Sequence, residues 1–265
     1  MITAATLAAS VKAAKPGDVL ACEGLFPRLT LGRVPEGITL TGGTWAGLRA
    51  DALRGVTLRD MVFRDGTVGL KSVGSVGVRL EGCTFLDLDR GASFGSGEDL
   101  EIVACTAQRM RIDAFDFGEC RRWAVRRCAV LGAVTQPGGA HPDAIQGWSR
   151  PTSAPAADIV IEDNLIVGDC QGIGLFNHVR GGVDDGGFDR VSIRRNRIVA
   201  GRPMGIAALD VRGLDLTDNR VSTAAGTERQ ARIRIERCSD VRRSGNRVDA
   251  YVEASGARRG AQADA

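Results

Sequence analysis

Eight residues, IVIEDNLI (Ile159–Ile166), place apolar side chains at their first, third and eighth positions and polar ones at the fourth and fifth. The same pattern recurs as VTLRDMVF, VRLEGCTF, LEIVACTA, WAVRRCAV, VSIRRNRI, LDLTDNRV and VRRSGNRV, so that the eight copies start at residues 56, 78, 100, 123, 159, 191, 214 and 241. A weaker copy, ITLTGGTW, begins at Ile38. The shortest spacing is 22 residues and every departure is upward, as in a repeat that has accepted insertions. A fixed period of this length predicts a solenoid.

Within each copy, alternation of apolar and freely varying positions predicts a strand with one buried face. The polar or glycine pair at positions four and five predicts a bend. Position six holds Met61, Cys83, Cys105 and Cys128, then Asn164, Asn196, Asn219 and Asn246. With one copy per coil these residues stack about 4.8 Å apart. A buried asparagine requires partners, which the amides above and below supply. The three cysteines read as small core fillers, because no Cys-x-x-Cys pair points to a metal. A second strand precedes each copy from the one at residue 78 onward: GLKSV, GASFG, DAFDFG, DAIQGW, GIGLFN, GIAALD and RIRIER. No helical period separates the strands. These features predict an all-β chain, a single-stranded right-handed parallel β-helix of about eight or nine coils.

Ahead of it, TAATLAASVKAA puts Leu7, Val11 and Ala14 on one face behind a Thr3 cap, which predicts a short helix covering the open end of the solenoid. The expected divisions are a capping helix over 1–15, the β-helix over 16–252 and a flexible tail over 253–265, where small polar residues replace the pattern. Residues 16–250 resemble the pectate-lyase-like superfamily of right-handed β-helices, whose coils carry the same strands, bends and asparagine ladder.

Charge narrows the functional classes. The net charge is +3, and 32 of the 35 basic residues are arginine, so a nucleic-acid partner is not expected. The chain has no apolar run long enough to span a membrane, and residues 1–20 lack the charged start and apolar stretch of a signal peptide. The seven cysteines form no disulfide framework. Arg197, Arg220 and Arg247 fall in one outward column, read either as a solvated face beside Asp218 and Asp249 or as a track for an anionic polymer or a partner chain.

Residues 22–110 read as scaffold, with Lys71 and Ser93 facing outward singly. Three long connections then fall within two repeats, at 131–142, 149–157 and 177–187, and both histidines of the chain, His141 and His178, lie in or beside them. Stacking the earlier strands puts Asp113 below Asp143 below Gln171, Asp116 below Gln146 below Gly174, and Arg111 below His141 below Asp169. Trp148 and Phe176 follow on the same strands. An outward patch of carboxylates, imidazole, amide and rings suits a saccharide groove.

The segment HPDAIQ (His141–Gln146) is also similar to site strands of phage tailspike polysaccharide depolymerases, and on that resemblance His141, Asp143 and Gln146 are the positions carried over. It implies a cell-surface or acidic polysaccharide as ligand, a homotrimer, phage tail proteins as neighbours, and a virion-tail or extracellular setting. The expected catalytic groups are Asp113, Asp143, His141 and Asp116. Gln146, Trp148, Phe176, His178 and Arg111 are expected to bind substrate. Two chemistries stay open. Asp113 and Asp143, about 5 Å apart, match a retaining glycosidase pair, while His141 or Arg111 could act as base in a β-elimination from a uronic acid. A non-enzymatic tail protein, or a secreted polysaccharide lyase, is the alternative; in the first, the aspartates merely cap bends and His141 bonds a loop carbonyl. No cofactor is expected. Asp184 and Asp185 could hold Ca²⁺, but two adjacent acids in a glycine-rich loop more often are solvated.

Overall fold

Each period of the repeat becomes one coil. In the computed structural model, described for residues 1–135, 142–149, 155–177 and 186–254, a coil lays one strand in a ten-stranded sheet and two in an eighteen-stranded sheet. The coil built on the central copy shows the plan: Asp143–Ser149 in the first sheet, then Ala156–Glu162 and Leu165–Gly168 in the second. Every strand pairs in parallel with its counterpart one coil away, as Phe115 with Ile145 and Ile145 with Ile173. The chain is a right-handed parallel β-helix. Its ten passes through the first sheet run from Leu29–Leu31 to Ala250–Ala254, the last reaching two residues beyond the boundary expected at 252.

Inward positions stack into columns. Phe115, Ile145, Ile173, Ile206 and Ile233 succeed one another, all fully buried. Each such aliphatic side chain contributes about 1.5–3 kcal/mol by leaving water. Rings follow the same rule: Phe63 on Phe85 and Phe94 on Phe117 stack across successive coils with centroids 5.0 and 5.6 Å apart.

The bends explain the polar pair of the repeat. The residue at position five takes a left-handed backbone in coil after coil: Asp60, Gly82, Ala104, Arg127, Asp163, Arg195, Asp218 and Gly245, with φ from 52° to 65°. Next to this bend the asparagines form the expected ladder. The Asn164 amide donates to Asn196 Oδ1, Asn196 to Asn219 and Asn219 to Asn246, each at 2.9 Å. Their Nδ2 groups also donate to the carbonyls of Val125, Ile161, Ile193 and Leu216 on the preceding coils. Met61, Cys83, Cys105 and Cys128 fill the same column in the earlier coils, buried and with free thiols.

The N-terminal helix is shorter than the pattern suggested. It runs Leu7–Ala13 and buries Leu7 and Val11. Thr6, not Thr3, is its N-cap, and Thr3 lies a turn earlier, where its carbonyl accepts from the Leu7 amide at 3.0 Å. The sequence reading placed the start too early because Thr3 and Thr6 are both eligible caps. No helix among the described residues is long and apolar enough to cross a membrane.

Outward charges pair between coils. Arg122 bonds Asp99, Arg190 bonds Asp158, Arg195 bonds Asp163 and Arg237 bonds Asp210. Each pair joins one coil to the next, so the sign of charge tends to alternate along the axis.

Candidate functional site

Three neighbouring strands of the ten-stranded sheet carry the cluster: Asp113–Gly118, Asp143–Ser149 and Gln171–Asn177. The expected register holds, with Asp113 against Asp143 against Gln171, Asp116 against Gln146 against Gly174, and Trp148 against Phe176. Strict alternation would send Asp113 and Asp116 to opposite faces. Two successive core residues, Ala114 and Phe115, and likewise Ala144 and Ile145, break the alternation. Residues three apart therefore meet on one side, and Gln146 Nε2 donates to Asp143 Oδ2 at 2.7 Å.

The carboxyls are not the exposed patch the sequence suggested. Asp113, Asp116 and Asp143 are 4%, 7% and 2% exposed. Trp148 contributes to this. Its indole lies over Gly118, where a built Cβ would fall 2.1 Å from the ring, and its Nε1 donates to Asp116 Oδ1 at 2.7 Å. Phe176 folds over Gly174 in the same way. At both positions only glycine leaves room for the ring.

Burial sets the protonation of the cluster. It pushes Asp143 up to about 7, with the Asp113 charge adding to the effect and the Gln146 bond opposing it. Asp116 is raised to about 6, again chiefly by burial and then by Asp113, against the bonds from Trp148 and Ser93. Burial raises Asp113 as well, but the Arg90 guanidinium 3.2 Å away counters it. The backbone N–H of Asp143 reaches Asp113 Oδ1 at 3.3 Å. Asp113 is thus the carboxyl of the trio that faces a charged donor. Asp143 has one side-chain donor, and its Oδ1 is buried with no partner among the described residues, as is Gln171 Oε1 in the next coil. A buried oxygen lacking a donor is most easily tolerated when the group is protonated. The two carboxyls thus differ in surroundings: burial raises Asp143, which has one side-chain donor, whereas Asp113 faces a guanidinium.

Other expected members go elsewhere. Arg111 turns away from the cluster and pairs with Asp89 at 2.6 Å, its remaining nitrogens donating to the carbonyls of Asp87 and Gly66. An acid on the preceding coil takes its guanidinium. His141 and His178 lie outside the described residues, as do Asp184 and Asp185. Among the described residues no group of three or more histidine, cysteine, aspartate or glutamate side chains is placed to hold a metal ion.

Two contributors were missed. Arg90 holds Asp113, and Ser93 Oγ donates to Asp116 Oδ2 at 3.1 Å. Both belong to Arg90–Gly95, in a stretch read as scaffold, although the register that stacked Asp113 on Asp143 also stacks it on Arg90. Gln171 was aligned with the cluster but given no part in it.

No family model matches the sequence, and no curated protein matches it. Solved structures do. The Dettilon tailspike protein superposes with a TM-score of 0.59 at 13% identity, over 89% of this chain and 62% of that one, so the chain spans less than two thirds of the tailspike's length. A polygalacturonase from Erwinia carotovora ssp. carotovora gives 0.48 at 13% identity, over 95% and 78% of the two chains. The tailspike protein gp49 from Acinetobacter baumannii bacteriophage Fri1, a capsular polysaccharide depolymerase, gives 0.48 at 13% identity, over 90% and 48%. At such identities the likeness establishes the parallel β-helix and nothing narrower.

Proposed function

We propose that this chain binds a polysaccharide along the outer side of the ten-stranded sheet and hydrolyses it. Asp143 delivers a proton to the glycosidic oxygen and Asp113 serves as the ionised partner across the bond. The observation that carries the proposal is the buried trio Asp113, Asp116 and Asp143, on adjacent coils, with Asp143 pushed up to about 7 while Asp113 retains an arginine. Glycoside cleavage needs such a pair, one carboxyl protonated and one ionised. Residues partnered across a parallel ladder lie about 4.8 Å apart, which favours the retaining geometry. Trp148 and Phe176 supply faces on which sugar rings stack, and Gln146 and Gln171 supply amides for hydroxyls. A sugar reaches these carboxyls only by displacing what covers them, and the dry setting keeps the proton on Asp143 until it arrives.

The tailspike likeness supports extending the reading to a phage tail, and the resemblance of His141–Gln146 to depolymerase site strands supports a cell-surface polysaccharide and a homotrimer. The burial of the trio is also what a non-enzymatic receptor-binding protein of the same fold would show, with the acids serving only to bond one coil to the next.

The test is incubation with acidic and neutral bacterial polysaccharides, following both new reducing ends and the ultraviolet absorbance of an unsaturated product. Reducing ends without absorbance are expected, with Asp143→Asn losing about 10²-fold or more of the rate, the scale of lost general-acid catalysis. Absorbance would replace hydrolysis by elimination. Polysaccharide binding with neither signal would leave the binding protein.

A further inference from the structure

Outward arginines of the later coils meet an acid on a neighbouring coil almost as a rule. Arg126, Glu162 and Arg194 stack in one column, plus on minus on plus, and Asp163, Arg195 and Asp218 fall at successive copies of the bend in the opposite order. One column breaks the rule. Arg197, Arg220 and Arg247 are partnered in direct register on three consecutive strands, all exposed, and none makes an ion pair among the described residues. They border a surface depression of about 500 Å³, completed by Ser222 and Asp249. Its apolar lining residues, Val221 and Val248, pack on the core. This column lies in the eighteen-stranded sheet, not on the sheet that carries the carboxyl trio.

We propose that Arg197, Arg220 and Arg247 form a second binding site for an acidic polysaccharide, separate from the carboxyl cluster. Three guanidiniums repeat at the coil rise of about 4.8 Å, so they span about 10 Å along the axis. A single small anion engages one or two of them. A linear polymer laid along the axis, with a carboxylate or sulfate on successive sugars, engages all three through charge-assisted and bidentate bonds. Single-stranded nucleic acid would want aromatic platforms, and the depression has none. A protein partner would want a buried apolar or aromatic anchor, which its lining also lacks. The proposal does not depend on whether the trio cleaves sugar.

Affinity electrophoresis of the whole chain tests it, in gels containing polygalacturonate, heparin or neutral dextran. Retardation by the carboxylated or the sulfated polymer, weakened by salt, and none by dextran, is expected. Relative strength in the two gels tells which acidic group is preferred. The triple variant Arg197→Gln, Arg220→Gln, Arg247→Gln should bind at least about tenfold more weakly, with an unchanged melting temperature and unchanged reducing-end release from a neutral substrate. Arg242→Gln, which removes an exposed arginine already paired with Asp215, should change little. Equal losses in the triple and the control would mean a diffuse charge effect and overturn the site. So would failure of the wild-type chain to bind either polyanion at low salt, or tighter binding to an oligothymidylate than to both.

Discussion

A buried carboxyl is costly to the fold, and Asp143 makes this measurable. The unfolded chain ionises it near 3.8, whereas the folded protein holds the proton to about 7. Between those values the native state binds a proton that the unfolded state has released, so stability falls as pH rises through that window and levels off above it. The gap corresponds to a penalty on the order of 4 kcal/mol at alkaline pH. Asp143→Asn keeps an oxygen for the Gln146 amide and carries no charge. It should therefore melt higher than wild type at pH 8 and match it near pH 4, while losing about 10²-fold or more of the proposed hydrolysis. Equal pH dependence of the two proteins in thermal melts would mean that Asp143 is ionised in the fold. The register of this cluster was legible in the sequence, because spacing alone fixes which residues stack. Its burial was not. It depends on the inward pairs Ala114–Phe115 and Ala144–Ile145 and on an indole lying over Gly118, and alternation read from sequence contains neither.

At the scale of the element, one column of the repeat is filled in two ways. Asn196 accepts from the Asn164 backbone and side chain, and donates to Ile161 O and Asn219 Oδ1. Replacing it by alanine removes these bonds and strands buried partners, at a cost of about 3 kcal/mol or more. Cys105, also buried, donates a weak bond to the Val103 carbonyl. Cys105→Ala should cost about 1 kcal/mol for the small volume lost. Urea midpoints of the two variants should rank accordingly, and the opposite order would remove the ladder from any major part in stability. The contrast between the halves was readable beforehand, since an amide buried at regular spacing has few ways to be satisfied. The short capping helix was less so, because two threonines compete to begin it and only packing of Leu7 and Val11 decides.

For the molecule as a whole, nearest-neighbour contacts dominate, as expected of a solenoid. Residues 78–99 make up one period, and removing them joins Gly77 to Leu100 with the strand register intact. The shortened chain should fold, with unchanged β-type circular dichroism and a lower melting temperature. It should also lose activity, since Val68 and Lys71 would replace Arg90 and Ser93 beneath Asp113 and Asp116. Insoluble product would mean that coils are not interchangeable units.

The ladder also has a direction. Each amide-to-amide bond in it is donated toward the later coil and accepted from the earlier one, and the series begins where the Cys128 backbone N–H donates to Asn164 Oδ1 at 2.9 Å. A duplicated coil inserted anywhere between Asn164 and Asn246 would therefore arrive with an acceptor for the coil before it and a donor for the coil after it. Copying one short stretch of gene would lengthen the protein without any new residue being invented at the seam.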